Sequence, residues 1–81
     1  MKFDMLSSKL TFVILPSTVT SIGARAFYRC VGLVSVAVPD SVVSIEEQVF
    51  FGCERLTVTV GKGSFAEEYC QRNNISYKYK G

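Results

Sequence analysis

The sequence contains no histidine. A serine or cysteine nucleophile of the usual kind needs an imidazole base beside it, so no Ser-His or Cys-His pair can be assembled. The three cysteines are an odd number and fall in no metal-type spacing, so a complete disulfide framework is excluded and the redox compartment stays open. No apolar run approaches the roughly 20 residues needed to cross a bilayer, and Met1 to Leu10 lacks the apolar centre of a signal peptide. Nine basic side chains against seven acidic ones give a net charge of +2, and the cations are scattered rather than clustered. Nucleic acids and anionic membranes bind clustered cations, so neither nucleic-acid binding nor membrane insertion is expected.

The remaining chemistry-bearing residues are equally sparse. Glu46-Glu47 and Glu67-Glu68 are adjacent pairs, whose side chains diverge instead of converging on a substrate, and they read as solvated surface. Gly61-Lys62-Gly63-Ser64 is too short for a phosphate loop, which requires G-x-x-x-x-G-K-[ST] after a strand. Lys78 and Lys80 with Tyr77 and Tyr79 suggest a basic-aromatic strip, but strand alternation separates the lysines from the tyrosines by face. The sequence therefore points to no enzyme, no catalytic residue, no metal site and no cofactor.

What is present is a repeat. Residues 10–32 read LTFVILPSTVTSIGARAFYRCVG and residues 33–55 read LVSVAVPDSVVSIEEQVFFGCER. Offset by 23, they are identical at Leu10/Leu33, Val13/Val36, Pro16/Pro39, Val19/Val42, Ser21/Ser44, Ile22/Ile45, Phe27/Phe50 and Cys30/Cys53. Eight ungapped identities in 23 positions are not chance. The matching positions are mostly apolar, while the differing ones include the charge changes Gly23/Glu46, Ala24/Glu47, Val31/Glu54 and Gly32/Arg55. The shared positions are thus expected to face a core and the others water. A 23-residue unit with one apolar side cannot bury it alone and must stack on its copies.

Within each unit an alternating segment places Val13, Leu15, Val36 and Val38 inward, and proline then ends the strand because it cannot donate to a ladder. Pro16-Ser17-Thr18 and Pro39-Asp40-Ser41 read as turns. The next Val-x-x-Ile supplies a second short extended or irregular segment, and Phe27/Phe50 with Cys30/Cys53 point back inward. Equivalent strands of successive coils are expected to pair in parallel.

The pattern L-x-x-V-x-[LV]-P-x-x-V-x-S-I-x-x-x-[AV]-F-x-x-C-x-x-L resembles the bacterial BspA-like leucine-rich repeat, and the likeness covers Leu10 to Leu56. The copies depart from it where Gly23 becomes Glu46 and where Ala26 becomes Val49. The resemblance implies a β-rich leucine-rich-repeat solenoid of parallel strands. It also implies a cell-surface or secreted protein of the adhesion type, whose partner is a host or extracellular-matrix protein.

The two ends differ. A third copy starts at Leu56 with one residue fewer before its inward positions, and Gly61 and Gly63 replace the proline turn. Ser64 and Glu67 have the spacing of a capping box, and Phe65/Tyr69 with Ala66/Cys70 give the following helix an apolar side that ends at Asn73-Asn74. Ile75, Tyr77 and Tyr79 then alternate with polar residues as a half-exposed strand. This segment resembles the terminal piece that closes BspA-like arrays.

Phe3 and residues 7–10 resemble the tail of a preceding repeat, with Phe3 one place off register and Ser7 in the cysteine position. The expected organisation is one domain over residues 1–81: a partial repeat at 1–9, repeats at 10–32 and 33–55, and a degenerate repeat with its C-terminal cap at 56–81. Such an end implies that the chain is the C-terminal piece of a longer array, or that it self-associates through its N-terminal edge.

Cys30 and Cys53 read as a ladder of small buried thiols, with a disulfide or a thiolate pair as the alternative, and Cys70 as a core residue, with an exposed thiol or intermolecular disulfide as its alternative. The outward side of the first strand of each coil carries Thr11, Phe12 and Ile14 beside Val34, Ser35 and Ala37, then Thr57 and Thr59. This uncharged strip is either a protein-binding face or a surface on which Phe12 and Ile14 meet preceding sequence. Two functions follow: a protein-interaction module, or a purely structural segment closing a longer array.

Overall fold

The computed structural model describes residues 11–80, in the order β1 (Phe12–Ile14), β2 (Ser21–Ile22), β3 (Ser35–Ala37), β4 (Ser44–Ile45), β5 (Thr57–Val60), α1 (Phe65–Arg72) and β6 (Tyr77–Tyr79). The expected partial repeat with Phe3 and Ser7, the N-terminal edge, and Leu10 lie outside the described residues. Strands β1, β3, β5 and β6 form a parallel sheet in that order, and β2 pairs in parallel with β4. Parallel strands, two sheets and a single helix among the described residues make this a repeat fold.

The register reproduces the sequence offset. Val13 lies opposite Val36, and Ser21 and Ile22 opposite Ser44 and Ile45, each 23 residues on. Between β3 and β5 the step falls to 22, Val36 meeting Val58, which is the residue missing from the third copy. The prolines act as expected. Strands β1 and β3 each end before one, and the Pro16 and Pro39 carbonyls accept from the amides of Val19 and Val42 at 3.0 and 3.1 Å, forming equivalent turns in the two coils. The Ser41 hydroxyl adds a bond to the Val19 carbonyl at 2.7 Å.

A third hydrogen-bonded column was not foreseen. The amides of Arg25, Phe27 and Arg29 donate to the carbonyls of Glu47, Val49 and Phe51. Both coils turn this corner through left-handed backbone at matching places, Arg25 (φ 61°) with Gln48 (φ 59°) and Arg29 (φ 57°) with Gly52 (φ 82°). An L-residue in that region costs about 1–2 kcal/mol, a cost that only glycine escapes. Gly52 is constrained twice, because a Cβ there would lie 3.0 Å from Arg29 Cγ.

The core is one cluster running from Leu15 to Cys70. Shared positions supply much of it: Leu33, Val36, Val42 and Phe27 are fully buried, and Ile22, Cys30, Phe50 and Leu56 nearly so; the differing pair Ala26 and Val49 is buried as well. Phe27 stacks on Phe50 with centroids 5.7 Å apart and planes 8° apart. Tyr69 of α1 joins this stack edge-on to Phe50 at 6.4 Å, with its hydroxyl donating to the Glu46 carbonyl.

Helix α1 contacts β4 and β5, and its Ala66 and Cys70 are buried in the core cluster. Ser64 caps it by accepting from the Glu67 amide. Glu67 reaches back one residue further than the usual capping box, to the Gly63 amide at 2.7 Å. Two expectations need correcting. Glu67 is buried, not solvated, because β6 folds over the first turn; Phe65 is exposed, because Ala66 and Glu67 take the inner side.

Phe50→Ala should cost about 3–5 kcal/mol, since it removes the ring between Phe27 and Tyr69 and leaves a cavity. Gly52→Ala should cost about 1–2 kcal/mol for its left-handed backbone. Urea unfolding of both variants checks the order; a Phe50→Ala chain as stable as the parent would refute the aromatic column.

Candidate functional site

Alternation along three short strands builds the surface. Phe12, Ser35 and Thr57 form one row across β1, β3 and β5, and Ile14, Ala37 and Thr59 form the next. Between them Val13, Val36 and Val58 turn to the core. The structure therefore brings six of the eight expected residues into two rows. Thr11 and Val34 have the opposite parity and lie at the rim where the strands begin, joined by the Val34 amide donating to the Thr11 carbonyl. Phe12 is 58% exposed, Ile14 66% and Val34 48%, so the apolar part of the surface is accessible.

Strand β6 extends the surface in a way the strand-by-strand reading missed. Lys78 lies opposite Thr59, which lengthens the second row to Ile14, Ala37, Thr59 and Lys78. No carboxylate stands in either row. A hollow of about 210 Å³ crosses the C-terminal ends of the strands, bounded by Ile14, Ala37, Pro39 and Thr59 and, at its far wall, Lys80. The Lys80 ammonium lies 4.0 Å from the Asp40 carboxylate, with both groups more than half exposed. Gly61 permits that pairing, because a side chain there would collide with the Asp40 carboxylate.

A second exposed cluster had no counterpart in the sequence reading. Tyr28 stacks on Phe51 at 5.4 Å, and the guanidinium groups of Arg25 and Arg29 lie 5.6 and 5.4 Å from the Tyr28 ring. The signal was visible as two aromatics 23 residues apart, each one place after the core phenylalanine. Being non-identical, they are not marked by the 23-residue identities.

The thiols are the nucleophilic groups among the described residues, and their surroundings are apolar. The three cysteines are free thiols. Burial pushes Cys30 and Cys53 above the ordinary thiol value and Cys70 up to about 11, so they remain protonated near neutral pH. The Cys53 thiol donates to the Phe27 carbonyl at 3.0 Å. Among the described residues no three His, Cys, Asp or Glu side chains gather as a metal site would require, and no helix is long and apolar enough to cross a membrane.

Strand β6, which carries Lys78, is fastened to α1 by side chains. The Tyr79 hydroxyl donates to Glu67, whose other oxygen holds the Gly63 amide, and Gln71 Nε2 donates to the Tyr77 hydroxyl at 2.9 Å. The Tyr79 contact, then the Gly63 amide, hold Glu67 below the usual carboxylate range. The same contact pushes Tyr79 up to about 12.

Comparison with known proteins gives one match. The model of the family described as BspA type Leucine rich repeat region matches residues 3–78, in six copies. No curated protein and no solved structure matches the chain.

The Glu67–Tyr79 contact sets a pH window. A depressed carboxylate contributes stability above its unfolded value of 4.5 and loses it as pH falls through the folded value. A raised phenol contributes fully below 10.0 and loses it as pH rises toward about 12. Urea midpoints of the parent and Tyr79→Phe should therefore differ by a constant amount between about pH 5 and 10 and converge outside that range. A difference that does not change with pH would show that the contact is unimportant.

Proposed function

Because this chain belongs to the BspA-type leucine-rich repeat family, we propose that it is a non-catalytic protein-interaction module that engages its partner through the outward rows of the β1–β3–β5 sheet. The observation that carries this reading is the exposure of Phe12, Ile14 and Val34 beside small and hydroxyl side chains on the sheet. Exposed aromatic and aliphatic anchors amid adaptable polar groups suit protein recognition. In this reading the module comes from a cell-surface or secreted adhesion protein, and its ligand is a host or extracellular-matrix protein.

A second reading is favoured by α1 and β6. Tyr69 takes the place of the next ring in the aromatic column, and β6 pairs along β5 where another coil would otherwise stack. In that reading residues 56–81 close a solenoid whose coils are 10–32 and 33–55, and the segment is purely structural. It predicts no binding by the isolated chain and a less stable parent array when the segment is removed.

The two readings separate in one experiment. Immobilised chain, and a variant carrying Phe12→Ala and Ile14→Ala, are exposed to extracellular-matrix and cell extracts. Both substitutions are at accessible positions, so the variant should unfold within about 1 kcal/mol of the parent. The interaction reading expects capture by the parent and a loss of at least about tenfold in the variant, a hot-spot effect. Equal capture by both would sink the sheet-face reading.

A further inference from the structure

We infer that the sheet face selects an extended segment of a protein partner that carries an aliphatic side chain and an acidic side chain about four residues apart. This rests on the sheet-face reading and adds the chemistry of what is bound. The surface is graded. Its β1 side is apolar, with Phe12 and Ile14; its middle is Ser35, Ala37, Thr57 and Thr59; its β6 side is cationic, with Lys78 in the row and Lys80 at the wall of the hollow. A ligand matching that gradient is apolar at one end and anionic at the other.

Asp40 shows where the anion sits. Its carboxylate lies over Gly61 and 4.0 Å from Lys80, and neither side chain is buried, so the pair is held weakly and is open to exchange. Asp40 thus occupies the place of a partner carboxylate until one arrives. Lys78, the last member of the row, has no ion pair among the described residues and offers a second cation beside Thr59.

The sheet also sets the spacing. From β1 to β6 there are three inter-strand steps of about 4.8 Å, roughly 14 Å in all. An extended chain advances about 3.4 Å per residue, so a segment crossing the strands covers the distance in about four residues. The aliphatic group then enters the hollow beside Ile14 while the carboxylate meets Lys80 and Lys78.

The test uses blocked heptapeptides of serine and threonine with leucine at the second position and glutamate at the sixth, titrated against the full chain and followed by amide chemical shifts. Comparison peptides replace the glutamate with glutamine or move it to the fourth position. Expected are shifts at sheet residues and an affinity about two- to fivefold higher for the spaced glutamate, the range of an exposed ion pair. That preference should fade with added salt and vanish in a Lys78→Gln, Lys80→Gln variant. Asp40→Asn should tighten the glutamate peptide, a gain that damaged folding cannot produce. Equal affinity for glutamate and glutamine peptides, with binding still lost in Ile14→Ala, would overturn the acidic specificity and leave the sheet face standing. No shift at the sheet with any peptide would overturn both.

Discussion

The near-parallel stacking of Phe27 on Phe50 is the constraint on which the rest of the molecule depends. Two rings 5.7 Å apart and nearly parallel require their backbones to superpose by translation along the stack. That translation is the one that aligns Val13 with Val36 and Ile22 with Ile45 in the two sheets. A slip of one residue would turn each strand's core residues to water and separate the rings at the same time. Sheet register and aromatic contact therefore reinforce each other, which is how a chain this short obtains one well-defined arrangement from short strands.

Tyr69 brings the helix onto the same stack. It meets Phe50 edge-on rather than flat, and its hydroxyl finds the Glu46 carbonyl at the boundary with solvent. A tyrosine turned on edge adds its ring to the aromatic cluster while its polar atom keeps a partner.

Much of this was legible in the sequence, for a physical reason. Identical residues 23 apart mark positions whose neighbours are their own copies, so the strands, the proline turns and most of the core could be read directly. The positions that escaped are those where dissimilar residues do the same job. Arg29 and Gly52 share a left-handed backbone, and Tyr28 and Phe51 share a stack, without sharing identity. Glu67 escaped because its partners, Gly63 and Tyr79, lie on different elements, and only the fold over α1 brings them together. On the candidate surface, the rows through β1, β3 and β5 followed from alternation. The continuation into Lys78 and the Lys80–Asp40 pair depended on β6 returning parallel to β5, which local pattern alone did not specify.

The paired left-handed corners differ in what they cost the chain. The first coil turns through two arginines, whereas the second turns through Gln48 and Gly52, so the strain stored at the corners is unequal between neighbours. Packing is gained at every coil, but strain is released only where glycine occurs. The Arg25–Arg29 corner is therefore the costlier of the two, by about the penalty that one left-handed L-residue carries.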